Sequence, residues 1–95
     1  MLDNKTKEQI LENLDIYVAQ LKANVGVLTD MSGNVMEHFN GILVYNTKTG
    51  SVEVKQEASH ASTPEYVYIY ELTPEKYSMS TKELYEDIRK SLQKL

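Results

Sequence analysis

The stretch that decides the fold is Pro64-Glu65-Tyr66-Val67-Tyr68-Ile69-Tyr70-Glu71-Leu72. Its β-branched and aromatic residues fit a pleated surface. Side chains alternate across a strand, so Tyr66, Tyr68, Tyr70 and Leu72 are expected on one face and Val67 and Ile69 on the other. The rest of the chain then has two tasks. It must supply strand partners for this segment, and it must cover Val67 and Ile69.

Those partners lie just upstream. Ser51-Val52-Glu53-Val54-Lys55 alternates cleanly, with Val52 and Val54 inward and Glu53 and Lys55 outward. Ile42-Leu43-Val44-Tyr45 precedes it, across the turn Asn46-Thr47-Lys48-Thr49-Gly50. A three-residue loop with a bulge at Gly50 sets Val44 opposite Val54 and Tyr45 opposite Glu53. Ile42, Val44, Val52, Val54, Val67 and Ile69 then form the inner face. Leu43 and Tyr45 join Tyr66, Tyr68 and Tyr70 on the outer one. Gly41 reads as a bulge or bend. Ala58-Ser59-His60-Ala61-Ser62-Thr63 is small, polar and aperiodic, which reads as a loop.

Further upstream, Thr29-Asp30-Met31-Ser32-Gly33-Asn34-Val35 has the turn chemistry of a hairpin. Asp30 suits the first turn position and Gly33 the positive φ. This pairs 25–29 with 34–39. The competing reading is a loose loop followed by a helical turn through Val35–Phe39.

Helices flank the strands. Ile10, Leu11, Leu14, Val18 and Leu21 recur at helical spacing, with Tyr17 at the border, and predict a helix over 6–22. Thr6 with Gln9 fits a capping box, and Asp3 is the alternative cap. Asn24 can end the helix in a left-handed conformation. At the other end, Ser80-Thr81-Lys82-Glu83 is a capping box, and Met79 with Leu84 makes a hydrophobic staple. Leu84, Ile88, Leu92 and Leu95 form the stripe of the second helix. Glu83, Glu86 and Asp87 come early and Arg89, Lys90 and Lys94 late, as the helix dipole favours.

Helix, antiparallel strands, helix is an α+β order. The expectation is one domain over residues 1–95. It has a meander or hairpin sheet of three to five strands, with both helices on one face. Two amphipathic helices cover one face of such a sheet, so the other meets water or a partner.

Composition narrows the function classes. Ten basic against fourteen acidic residues give a net charge of −4, the wrong sign for a protein that holds phosphates. There is no cysteine, hence no thiolate metal site and no cysteine nucleophile. No run approaches the roughly 20 apolar residues of a membrane span, and no apolar leader follows Met1. The expected setting is cytoplasmic.

No catalytic constellation emerges. His38 and His60 are the neutral-pH titrators, yet no carboxylate is placed by motif to orient either ring. The carboxylates are scattered, and Gly26, Gly33, Gly41 and Gly50 are too far apart to cradle phosphate. No metal, cofactor or catalytic residue is therefore expected.

The tyrosine face is the candidate binding surface: Tyr45, Tyr66, Tyr68 and Tyr70 with Leu43. Tyrosine brings large apolar area and a hydroxyl, and is enriched at interfaces. Two plainer readings stay open. In one the row is simply solvated; in the other the tyrosines pack under a helix while Val67 and Ile69 face outward. The expected function is a non-enzymatic protein-interaction domain whose simplest partner is a second copy of itself. One alternative is a small-ligand or enzymatic domain with a pocket near the 58–63 loop, using His60. Another is single-stranded nucleic-acid binding, which the acidic neighbours Glu53, Glu65 and Glu71 oppose.

Overall fold

Asp3, rather than Thr6, opens the first helix: its carboxylate accepts the Thr6 backbone N–H at 2.7 Å. The computed structural model describes residues 2–56 and 64–95. The 58–63 loop and His60 lie outside them. The elements are α1 (Asn4–Glu12), α2 (Leu14–Asn24), β1 (Gly26–Thr29), β2 (Val35–Phe39), β3 (Gly41–Asn46), β4 (Ser51–Lys55) and β5 (Tyr66–Leu72). A 3₁₀ turn (Pro74–Lys76) and α3 (Thr81–Gln93) follow. This is the α+β class expected, with antiparallel strands and flanking helices. The strands form a two-stranded sheet, β1-β2, and a three-stranded one, β4-β3-β5, all antiparallel.

The predicted single helix over 6–22 is broken at Asn13. There the backbone leaves helical geometry at φ −116°, and the side-chain amide bonds the Gln9 carbonyl at 2.9 Å. Such a local side-chain bond competes with the helix ladder. The apolar stripe survives the break, because Ile10, Leu14, Val18 and Leu21 are all buried. Asn24 does not turn left-handed. It stays helical, its amide on the Gln20 carbonyl, and Val25 leaves in extended conformation. The second helix is as read. Ser80 caps it through the Glu83 N–H, and Leu84, Ile88 and Leu92 are buried.

The β3–β4 register differs from expectation by one residue. Leu43 opposes Val54, Val44 opposes Glu53 and Tyr45 opposes Val52. Asn46 pairs with Ser51, so the loop has four residues and not three. Asn46 Oδ1 accepts the N–H groups of Lys48 and Thr49, and Gly50 closes the turn at φ +71°. A slip of one residue moves a whole strand's side chains to the opposite face. Leu43 and Tyr45, expected outside, therefore lie under the helices with Val52 and Val54. Ile42 and Val44, expected inside, lie on the far face.

The tyrosine strand carries a second correction. Leu43 pairs with Tyr70 but Val44 with Tyr68, so Ile69 is an extra residue in a β-bulge. The bulge reverses the alternation halfway along β5. Val67, Ile69, Tyr70 and Leu72 pack into the main core, and of the three tyrosines only Tyr66 and Tyr68 share the far face. Gly41 is no bulge. It pairs with Leu72 at the start of β3, where a Cβ would come within 2.5 Å of the Leu21 carbonyl oxygen. Glycine here lets α2 press onto the sheet.

Asn40 alone separates β2 from β3, so residues 35–46 form one long run shared between the two sheets. Its second half is the centre of the body sheet. Its first half, paired among the described residues only with β1, extends away as an arm of a molecule measuring 49 × 30 × 20 Å.

Candidate interaction surface

The structure divides the five residues of the predicted tyrosine face. Leu43 is fully buried and Tyr70 is 6% exposed, both in the helix-covered core. The Tyr70 hydroxyl donates to the Asp87 carboxylate of α3 at 3.1 Å. Burial and that carboxylate push its pKa well above the ordinary value near 10. Tyr45 is half-buried, beside Tyr17 in an open cleft of about 530 Å³ between α1, α2 and the β3–β4 turn. The polar groups lining this cleft are hydroxyls and amides, including Thr6, Gln9, Asn13 and Ser51. Tyr66 and Tyr68 alone reach the far face of the sheet.

That far face is largely closed by the chain itself. Ile42 and Val44 are buried there beneath their long neighbours, with Tyr66 packed against them. Lys55 Nζ sits 2.9 Å from Glu53 Oε1 and 5.2 Å above the Tyr66 ring. Glu53 also accepts from Asn46 Nδ2 at 2.9 Å and from the Tyr66 hydroxyl at 3.4 Å. Lys55, then Asn46, holds the Glu53 carboxyl below its usual range. A second group joins the Tyr68 hydroxyl and the Asn40 amide to the Glu71 carboxylate. Desolvation first, and Glu71 second, raise the Tyr68 hydroxyl's pKa. Lys55 is thus already paired with Glu53 and offers little to a phosphate.

Exposed apolar surface is concentrated elsewhere. Val27, Leu28, Met31, Val35 and Met36 are all at least half exposed, and all lie on the arm. Its turn is well made. Asp30 accepts the N–H groups of Ser32 and Asn34 at 2.9 Å each, and its own N–H reaches the Asn34 carbonyl at 2.9 Å. The Asn34 N–H is the main reason the Asp30 carboxyl is held below its ordinary pKa. Gly33 takes φ +85°, as the turn reading requires. The expected pairing of 25–29 with 34–39 is therefore present, with Met36 as an extra residue opposite the Leu28–Thr29 step.

A two-stranded hairpin is at best marginally stable alone, and its free edges are templates for pairing. β1 and β2 bond only each other among the described residues. β2 carries Glu37 and His38 at its centre, which protects an edge. β1, Gly26-Val27-Leu28-Thr29, has neither charge nor proline. Beside its base lies an apolar recess of about 270 Å³, formed by Val25, Gly26, Val27, Pro74 and Tyr77.

Sequence reasoning found this hairpin but not its exposure. The available signal is the adjacent pairs Val27-Leu28 and Val35-Met36. A half-buried strand alternates apolar and polar residues, whereas these pairs place apolar side chains on both faces of a thin ribbon.

No protein-family model, no curated protein and no solved structure matches this chain.

Proposed function

We propose that this chain is a non-enzymatic protein-interaction domain in which a helix-backed sheet holds out the β1–β2 arm as the binding surface. One observation carries the reading: five exposed apolar side chains on a two-stranded sheet whose outer edges are unpaired among the described residues. Fully burying a Val, Leu or Met side chain is worth about 1.5–3 kcal/mol. Concentrating five on one projecting element leaves a large gain unrealised until something covers them. Exposed patches of this kind mark interaction sites. The proposed surface moves from the tyrosine row to the arm because Tyr70 and Leu43 are committed to the core.

The test uses photo-crosslinking side chains placed, in separate proteins, at Met36 and at Tyr68, in cell extract and in purified protein. A discrete adduct from Met36, homomeric or heteromeric, is expected. It should disappear when Leu28→Lys is added. At concentrations where the protein is monomeric, Leu28→Lys should leave thermal stability within about 0.5 kcal/mol, since the position is already exposed. Adducts from Tyr68 only, or a Met36 adduct unchanged by Leu28→Lys, would overturn the reading.

A further inference from the structure

We infer that the partner of the arm is a second copy of this chain, paired β1 to β1 about a two-fold axis at Leu28. The inference rests on the arm being a binding surface, and it names the occupant, the edge and the register.

Backbone hydrogen bonding selects the register. Successive residues of a strand direct their N–H and C=O groups to opposite edges. The Asp30 N–H points to β2, where it bonds Asn34. Leu28 then also faces β2, and Val27 and Thr29 direct their backbone groups to the open edge. In an antiparallel pair, opposed residues both point toward or both point away from each other. Val27 of one copy can therefore oppose Thr29 of the second, with Leu28 opposite Leu28 on the axis. This arrangement makes two Val27–Thr29 pairs that satisfy the open backbone groups of both edges. The result is one continuous four-stranded sheet, β2-β1-β1-β2. It is an isologous contact that closes on itself.

Three further features fit this register. The first is the edge: β1 lacks the charges and prolines that usually block strand addition, whereas β2 carries Glu37 and His38. The second is shape. The tip of each arm lies against the base of the other, bringing the second copy's Met31 opposite Val25. Met31 is fully exposed in one copy. Val25 belongs to the apolar recess with Val27, Pro74 and Tyr77. By alternation Val25, Val27 and Thr29 share a face, and the exposed Met31 of the turn lies at the end of the second copy's arm, beside the recess. The third is charge. Asp30 stands at the tip, and at the base Lys22 Nζ lies 5.7 Å from the Tyr77 ring centroid. Asp30 and Lys22 approach twice, once at each end of the seam, where Glu75 and Lys76 of the 3₁₀ turn offset each other.

The test needs no label, because the chain has no cysteine. Leu28 pairs on the axis occupy a non-hydrogen-bonded position with Cα atoms about 4.5 Å apart, inside the roughly 4.4–6.8 Å range of disulfides. Sedimentation equilibrium of the wild type should give twice the monomer mass. Leu28→Cys should oxidise to a covalent dimer at least tenfold faster than Ile16→Cys, an exposed site on α2. Val27→Pro removes an outward N–H and should return the mass to that of the monomer with an unchanged helical circular-dichroism signal. A wild-type monomer across the concentration range, or a dimer that survives Val27→Pro, overturns the self-pairing. If a heteromeric Met36 adduct still forms in extract with that monomer, the interaction function stands and only the second copy fails. If no arm-dependent adduct forms either, both fail.

Discussion

Tyr68 and Tyr70 are two positions apart in the sequence and have opposite roles. Tyr68 is 46% exposed, and Tyr70 is 6% exposed with its hydroxyl on Asp87. Tyr70→Phe keeps the ring and deletes a hydrogen bond to a charged acceptor, which should cost about 1–2 kcal/mol. Tyr70→Ala also opens a cavity and should cost about 3–5 kcal/mol. Tyr68→Ala should cost under about 1 kcal/mol, as for a surface side chain. Urea midpoints of the three variants decide this, and equal losses at the two positions would contradict the bulge. Alkali gives a second reading of the same residue. Both tyrosines hold the phenolic proton more tightly folded than unfolded. Their contribution is therefore complete below the unfolded pKa near 10 and shrinks as pH rises above it, because the unfolded chain ionises first. The urea midpoint should fall between about pH 10 and 11.5. The fall should be shallower in Tyr70→Phe, since the exposed Tyr68 is screened by solvent and contributes less.

At the scale of elements, α2 presses directly on the start of β3. A Cβ on Gly41 would sit 2.5 Å from the Leu21 carbonyl oxygen. Relief requires moving α2, whose Val18 and Leu21 are buried, or moving the central strand. Gly41→Ala should thus destabilise by about 2–3 kcal/mol, as overpacking does. Gly26→Ala, with open space around the added carbon, should stay within about 0.5 kcal/mol; thermal melts of both proteins compare them. Such helix–strand contacts explain what was legible in the sequence. The stripes of the helices and the Ser80 cap are local signals, and they reappear intact. So do the hairpin at Asp30–Gly33 and the α+β order. The β3–β4 register was not legible, because Gly50 serves a three-residue and a four-residue loop equally well. Helix packing on Leu43, Tyr45, Val52 and Val54 selects between them. The bulge was not legible either, since Tyr68, Ile69 and Tyr70 all suit an unbroken strand. These two effects, one in each strand, account for the split of the candidate surface. The register flips Leu43 and Tyr45 inward, and the bulge flips Tyr70.

On the scale of the molecule, body and arm differ in what holds them. In the body, β3 is flanked by β4 and β5, covered by α2 and α3 on one face, and roofed on the other by the Tyr66 and Tyr68 groups. In the arm, β1 and β2 hold only each other among the described residues, and nearly every side chain meets water. Amides in the body should exchange with solvent only through global unfolding, a cost of about 5–15 kcal/mol for a domain. Amides in the arm should exchange through local opening at a fraction of that cost. Hydrogen exchange at low protein concentration should therefore protect Ile42–Tyr45 by several orders of magnitude more than Val35–His38. Raising the concentration separates the arm's two edges. The Val27 and Thr29 N–H groups point away from β2, so a monomer leaves them unprotected, and pairing with a second copy slows their exchange. The amides of β3 should slow only by the added global stability of the dimer, whereas Val27 and Thr29 gain hydrogen bonds that a monomer lacks. If the arm is instead as protected as β3 at the lowest concentration, it is stabilised by the body alone. Its exposed apolar residues would then need no partner to hold their shape, and the argument for a binding arm would lose its energetic basis.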